Sequence, residues 1–430
     1  MMQALVGKVI NLRTMLDTGR LMFEKHTNSV SGVLMPLTFL VAGVVIGWLA
    51  WGRGPETWRL AWILLLPVAW GLASGRVSAS MLIAGYFLAG ARGLPGGSVV
   101  FFGEDAPVWF GLACWLGACA LLSLPFVMLW TADVRARGWR FVVALCVGVV
   151  PPLGLIGWCG PVLAAGVVFP GLEWLGLAFM LAMMAALVGR RWRMVAGFSI
   201  VAVLANVLAG SGPVAPAGWE GVDTNFSRLS SAGSDEAGQV LAGMRRVAWV
   251  QAFAKGVPAG SVRVLPETVL GPINGLTELA LQEIGAELTA RGSRVLAGGE
   301  LIQDDGRYKN SVMVLGAQPG EVQVAIQGVP VPISMWKPWA DNGAVADVFG
   351  RGGAIEVAGM SVGVLVCYEQ LLSYSLFWSM LGRDSVVPNV LIAVSNVWWA
   401  RATSIPAVQA QSVAATGRLF GVAVVSARNF

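Results

Sequence analysis

Histidine and charged residues are scarce in this 430-residue sequence. Its single histidine, His26, precedes the first long apolar run. A Ser-His-Asp triad and a histidine-rich metal site are therefore excluded from everything after that run. The sequence also lacks a phosphate-binding loop, a dinucleotide-binding glycine pattern and a basic-aromatic face for nucleic acid. We accordingly predict no cofactor, no metal and no nucleic-acid partner.

Only 12% of the residues are charged and 56% are hydrophobic, which is typical of a membrane protein. The apolar residues concentrate before residue 211, and we count seven candidate spans there, of which the second and third are short against the ~20 residues that a bilayer needs. The spans lie at residues 33–52, 60–74, 77–91, 107–130, 141–159, 162–188 and 194–210. The Pro/Gly/Ala-rich stretch 210–221 then predicts a linker. We therefore expect a transmembrane domain over residues 1–211 and a second domain over residues 212–430.

Basic residues set the expected orientation of these spans. The N-terminal tail and every second connection carry 11 lysines and arginines, whereas the intervening connections carry 3. By the positive-inside rule, the N-terminus is cytoplasmic, and an odd number of spans places residues 212–430 on the far side of the membrane. Glu173 follows a Pro-Gly break in the sixth span, which predicts either a functional charge inside the membrane or a bend that leaves Glu173 in the interface.

Cys367 is the cysteine that falls outside the predicted spans. It follows the apolar run 363–366, which predicts a buried strand that delivers the next side chain to a sheet edge. A lone cysteine is usually a small core residue. Glu267, however, follows another short strand, 262–265, in the same way. A thiol and a carboxylate at two strand ends indicate acyl transfer, with Cys367 as nucleophile and Glu267 as general base.

Strand-like and helix-like segments alternate after residue 221, which predicts an α/β sandwich. The predicted strands are 262–265, 294–297, 311–315, 355–357, 363–366, 390–394 and 421–426, and the predicted helices are 235–255, 277–291 and 405–420.

These motifs resemble those of the nitrilase, or carbon-nitrogen hydrolase, superfamily, whose members attack an amide or ester carbonyl with a cysteine assisted by a glutamate and a lysine. With its predicted spans, the chain more narrowly resembles the apolipoprotein N-acyltransferases and the related TraB-type conjugal transfer proteins. The matching pieces are Leu265-Pro266-Glu267, Tyr308-Lys309-Asn310-Ser311, Cys367-Tyr368-Glu369, Ser395-Asn396-Val397-Trp398-Trp399, and Gln409 with Gly417-Arg418. The resemblance implies a polytopic helical membrane domain followed by a nitrilase-like αββα sandwich, in the bacterial inner membrane with that sandwich in the periplasm.

The position expected to hold the family's lysine departs from the family pattern. The slot for the lysine is occupied by Gln327, whose amide donates a hydrogen bond but brings no charge to a developing oxyanion. Lys337 is the nearest substitute, ahead of Lys309, although Lys337 lies between tryptophans and equally fits a head-group anchor.

The remaining candidate residues have two interpretations each. Glu369 either assists proton transfer or only caps the turn after the strand. Trp398 and Trp399 either line the substrate approach or pack and anchor at the interface.

Three functions stay open. The first is a thiol acyltransferase or amidase acting on a membrane lipid or a membrane-bound protein or peptide, in a conjugal transfer system. The second is a catalytically weakened assembly factor that binds components of the conjugation pilus or transfer apparatus, and the third is an apolipoprotein N-acyltransferase proper.

Overall fold

The computed structural model describes residues 34–52, 54, 56–103, 107, 109–226, 236–273, 275–318, 324–350, 355–381 and 387–430. The basic N-terminal tail with His26 lies outside these residues, so the orientation argument above remains a prediction.

Helices occupy the described chain up to residue 209. They are α1 Leu34–Ala50, α2 Thr57–Leu72, α3 Arg76–Gly90, α4 Leu94–Phe102, α5 Trp109–Leu129, α6 Val134–Val149, α7 Pro161–Val168, α8 Glu173–Val188 and α9 Trp192–Ala209. Among the described residues, α5 and α9 are long and apolar enough to cross a membrane. Each of the pairs α3–α4 and α7–α8 passes the same test if its two helices form one bent span, which gives two to four candidate spans.

Several helices differ from the predicted spans. The stretch expected at 162–188 is broken between α7 and α8, whose axes differ by 117°, and the break falls at Pro170-Gly171. The span expected at 141–159 is instead α6, which begins after Asp133 and ends before Pro151-Pro152. Asp133 caps this helix by accepting from the Arg135 N–H at 2.9 Å. Turn-forming and capping residues therefore move helix ends that hydropathy alone places elsewhere.

Two mixed β-sheets follow the helices. Their strands are β1 Trp219–Gly221, β2 Val262–Val264, β3 Pro272–Ile273, β4 Arg294–Ile302, β5 Tyr308–Leu315, β6 Val324–Ile326, β7 Ile355–Val357, β8 Met360–Val366, β9 Val390–Asn396 and β10 Ala423–Asn429. The first sheet has the order β1-β2-β4-β5-β6, with β3 beside β4, and the second has the order β10-β9-β8-β7. In the second sheet, β8, β9 and β10 are parallel, so their carboxyl ends meet at one edge.

The sheets pack face to face. Buried valine, leucine and isoleucine side chains of β2, β4 and β5 meet those of β8, β9 and β10 in one apolar cluster that also contains Cys367. The helices α10 Glu236–Lys255 and α11 Gly275–Ala290 cover the outer face of the first sheet. Two further helices, α12 Ser373–Ser379 and α13 Ile405–Phe420, cover the outer face of the second. The layers therefore run helix, sheet, sheet, helix.

The second sheet is joined to the N-terminal helices through α12 and α13. One continuous apolar core contains Leu376 of α12, Val408 of α13 and Val162 of α7. The Tyr368 hydroxyl, just after β8, donates to the Leu155 carbonyl at 2.9 Å. The edge of the second sheet that carries Cys367 is thereby held against the apolar helices.

Candidate active site

Cys367 and Glu267 lie at neighbouring strand ends, one in each sheet. Cys367 is the first residue after β8 and begins a 3-10 turn, Cys367–Leu371, with φ of 47°. Thr268, next to Glu267, has φ of 58°. Such left-handed conformations cost ~1–3 kcal/mol in a non-glycine residue and mark places where the fold holds a side chain in position.

The Cys367 thiol donates a hydrogen bond to the Glu267 carboxylate. Both side chains are buried, with 6% and 3% of their surface exposed. Burial, followed by the charge of Glu267, raises the pKa of the Cys367 thiol. The resting pair is therefore a neutral thiol beside a carboxylate, which suits a base that removes the proton as the sulfur attacks.

Asn310 and the backbone of Asn396 hold the Glu267 carboxylate. The Asn310 Nδ2 donates to its Oε1 at 2.6 Å, and the Asn396 N–H donates to its Oε2 at 2.9 Å. Burial raises the pKa of Glu267 to about 7, although these hydrogen bonds and the one from Cys367 oppose the shift. Close packing fixes the turn that carries this glutamate, since a side chain at Gly298 of β4 would strike its backbone.

Gln327 is buried and is the next side chain after Asn310 in this hydrogen-bond network. Its Oε1 accepts from Asn310 Nδ2 at 3.1 Å, and its Nε2 donates to the Val366 carbonyl at 2.9 Å. The amide in the lysine slot thus connects the carboxylate network to the residue before the nucleophile.

Glu369 is buried but holds backbone rather than the thiol. Its carboxylate accepts from the N–H groups of Gly328 at 2.9 Å, Val329 at 3.1 Å and Val366 at 2.9 Å. Burial raises its pKa to about 7, against the effect of these three donors. These contacts tie the segment after Gln327 to the end of β8.

Lys337 is not brought to this pair. Residues 331–335 of its loop line the cavity described below, whereas Lys337 itself is half-buried and is not among the described lining residues. The oxyanion role of Lys337 therefore stays a prediction, which the described lining of the cavity does not support.

A cavity of about 970 Å³ extends from Cys367 and Glu267 to the apolar helices. Its far wall is built by α3, α4 and α5, including Phe87, Leu94, Phe101 and Leu122. Trp398 and Trp399, which follow β9, both line it. The Trp399 ring lies against Gly97 of α4 and meets the Phe101 ring edge-on at 5.5 Å. The cavity between the thiol and these helices therefore has a largely apolar lining.

Sequence reasoning assigned no role to three residues that shape the site. Asn310 and Gln409 stood inside matched motif pieces, and that placement was the available signal. Gln409 donates to the Cys367 carbonyl at 3.0 Å. Arg246 lies in α10 with no motif around it, yet it lines the cavity. No group of three or more His, Cys, Asp or Glu within the described ranges is arranged to hold a metal.

The chain is similar along most of its length to two conjugation proteins. It is 34% identical to a probable conjugal transfer protein TraB of Sinorhizobium fredii over 92% of this chain and 98% of the relative. It is 33% identical to the conjugal transfer protein TraB of Agrobacterium fabrum over 91% and 92%. No family model matches the chain.

Among solved structures, the chain is similar to a mutant form of the Nesterenkonia AN1 amidase from the nitrilase superfamily. The TM-score is 0.29 at 11% identity, with 44% of this chain and 68% of that chain covered. A likeness at this level carries no argument about fold or activity.

Proposed function

Since this chain belongs to the TraB family of conjugal transfer proteins, we propose that it serves a conjugal transfer system as a membrane-embedded thiol acyltransferase or amidase of the nitrilase type. One observation carries the chemical part of the proposal. A thiol hydrogen-bonded to a buried carboxylate lies at the end of a cavity whose opposite wall is the candidate span α5.

The proposed reaction has two steps. As the Cys367 sulfur forms a bond to the carbonyl carbon, its proton passes to Glu267, and the tetrahedral intermediate expels the alcohol or amine, which takes the proton from Glu267. The product on the enzyme is an acyl-thioester. A second nucleophile, an amine or water, then gives its proton to Glu267, attacks the thioester and releases the acyl group with the thiol restored.

Backbone groups and neutral amides support this reaction in place of a lysine. The backbone N–H groups of Tyr368 and Asn396 lower the pKa of the Cys367 thiol and so favour its thiolate. Glu369 and Gln327 hold the backbone N–H and carbonyl of Val366, the residue before Cys367. This arrangement supports a slower enzyme than one with a lysine, since one lost donor to an oxyanion typically costs ~10²–10³ in rate.

The proposal includes a place in the cell. Residues 1–211 lie in the bacterial inner membrane with a cytoplasmic N-terminus, and residues 212–430 form a periplasmic catalytic domain. The candidate spans and the basic asymmetry of the connections support this topology. A reporter fused after residue 211 tests this topology, because activity in the cytoplasm would contradict it.

The experiment for the catalytic proposal measures acyl-Cys367 directly. The full chain is isolated from membranes, and its intact mass is compared before and after neutral hydroxylamine, which cleaves thioesters. We expect a removable acyl mass in the wild type, none in Cys367→Ala and little in Cys367→Ser, because an alcohol is a far poorer nucleophile at neutral pH. Cys146→Ala, which changes an exposed cysteine of α6, is the matched control and should keep the mass.

A second candidate function is supported by Gln327. A neutral amide in the lysine slot favours an assembly factor that keeps the domain as a docking surface. Conjugation frequency separates the two, since Cys367→Ala should abolish transfer if acylation is needed and leave it intact if the chain is a scaffold.

A further inference from the structure

One corner of the cavity carries charge, although most of its wall is apolar. Arg246 of α10, Glu300 of β4 and Tyr308 of β5 line this corner, together with Glu267. Among the lining residues that the structure describes, Arg246 is the single lysine, arginine or histidine. An anionic group on a ligand in this cavity can therefore pair with one cationic side chain among the described lining residues, Arg246.

Arg246 is linked to the catalytic carboxylate through a short turn. Its guanidinium lies against Gly271, where an added side chain would strike Nη1. Gly271 has φ of 67° and ends the turn that begins at Glu267. The Glu300 N–H donates to the Gly271 carbonyl at 2.9 Å, so the turn is fastened to β4 as well. A displacement of Arg246 would therefore also displace the turn that carries Glu267.

Glu300 and Arg246 each oppose the effect of burial on the other's pKa. Burial lowers the pKa of Arg246 and the charge of Glu300 raises it, while burial raises the pKa of Glu300 and Arg246 opposes this. Burial and then the charges of Glu300 and Glu267 raise the pKa of Tyr308. These groups lie in a poorly hydrated corner, where an interaction between charges is stronger than in water.

The rest of the lining specifies the other part of the ligand. The wall from α3 to α5 presents aromatic and aliphatic side chains, which suit a hydrocarbon chain rather than a polar group. A ligand that fills both regions is an amphiphile with its scissile carbonyl between the apolar wall and the charged corner.

We propose that Arg246, with Glu300 beside it, binds a phosphate or carboxylate group on the leaving side of the acyl substrate and so determines its selectivity. This inference rests on the proposed function, since it names what the same site selects. The acyl chain lies along α3 to α5, and the anionic group remains on the alcohol or amine that departs with the proton from Glu267.

The test compares two decanoyl esters that differ in one charge. One is the ester of para-hydroxybenzoate, which is anionic, and the other is the ester of its methyl ester, which is neutral. The rate of acyl-Cys367 formation is measured by intact mass on the full chain in detergent micelles. The difference in intrinsic reactivity cancels when the anionic-to-neutral ratio of each variant is divided by that of the wild type.

We expect Arg246→Gln to lower this ratio about tenfold or more, as loss of a charge-assisted hydrogen bond predicts. Arg246→Lys should retain part of the preference. The matched control is Arg245→Gln, which removes an exposed arginine next in sequence that is not among the described lining residues, and it should leave the ratio unchanged. An unchanged ratio in Arg246→Gln overturns the inference, because a purely structural arginine would slow both esters equally.

A lipid arm distinguishes the two sources of the anion. In nanodiscs, phosphatidylglycerol is compared with diacylglycerol as the donor. An Arg246-dependent preference for phosphatidylglycerol assigns the anion to a lipid head group, and a preference confined to the soluble esters assigns it to a soluble acyl compound. Both results support the anion site.

A binding arm separates failure of this inference from failure of the proposed function. In a Cys367→Ala chain, dodecyl phosphate should bind more tightly than dodecanol, and Arg246→Gln should remove the difference. If no donor acylates Cys367, the proposed function is wrong, and with it the role of Arg246 in selecting a substrate. If dodecyl phosphate shows no dependence on Arg246, the anion site itself is wrong.

Discussion

Gln327 donates from Nε2 to the carbonyl of Val366, the residue immediately before Cys367, at 2.9 Å. Its other amide atom accepts from Asn310, which in turn donates to Glu267. A continuous row of neutral amides thus runs from the proposed base to the backbone of the nucleophile. No formal positive charge lies in this row. The effect of burial on the pKa of Glu267 is therefore opposed only by hydrogen bonds, and this pKa rises to about 7.

The first prediction concerns the pH dependence of thiol reactivity. Glu267 accepts a proton only when it is ionised, so alkylation of Cys367 by iodoacetamide should rise with pH through about 7 and then level off. Below that pH the carboxyl is protonated and assistance is lost. Glu267→Gln should remove this rise, because an amide is not a base. Mass spectrometry of the Cys367 peptide measures the rate, and a midpoint near the ordinary glutamate value would contradict the burial argument.

The second prediction concerns the effect of a positive charge at position 327. Gln327→Lys places an ammonium beside Asn310 and near Glu267, which should lower the midpoint of the alkylation profile by ~1 unit or more and raise the rate of acyl-enzyme formation. Gln327→Met is the matched control: it keeps the length but leaves the Val366 carbonyl without this donor, at a cost of ~1–3 kcal/mol. An unchanged midpoint in Gln327→Lys would show that position 327 does not sense the carboxylate.

Much of the site could be predicted because it lies at strand ends. Val264 and Val366 end buried apolar strands, so the side chains that follow them had to emerge at sheet edges. The same reasoning could not find Arg246, whose reach into the cavity depends on how α10 packs on the first sheet. It could not separate Glu369 from a catalytic acid either, because two of its three backbone donors, Gly328 and Val329, come from a segment far away in the sequence. Strands β1, β3 and β6, each of two or three residues, were not predicted.

The third prediction concerns Lys337. Since this side chain is not among the described residues that line the cavity, Lys337→Met should change the rate of Cys367 acylation by less than about threefold, in place of the ~10²–10³ expected for a lost oxyanion donor. The acylation assay by intact mass measures this. A large loss, with the pH midpoint preserved, would return Lys337 to the oxyanion role.

The fourth prediction tests whether Glu369 positions or catalyses. Glu369→Gln leaves at least one of its three buried N–H partners without an acceptor, which should cost ~1–3 kcal/mol and lower the melting temperature. The midpoint of Cys367 alkylation should stay near 7, because Glu267 is unchanged. Glu356→Gln, on the exposed side of β7, is the matched control and should shift stability by less than ~0.5 kcal/mol. Loss of the midpoint without loss of stability would identify Glu369 as the base.

The fifth prediction addresses the wall between the site and the candidate spans. A Cβ at Gly97 would lie 2.6 Å from the Trp399 ring, so Gly97→Val must push Trp399 into the cavity. A narrower cavity should slow acylation by decanoyl esters far more than acylation by acetyl esters, since only the longer chain occupies the wall beyond Trp399. Gly148→Val, where an added Cβ meets nothing within 4 Å, is the matched control for a valine in an apolar helix. Equal slowing of both esters by Gly97→Val would mean that the substitution disturbs the catalytic pair itself, and the acyl chain would then not run along α4.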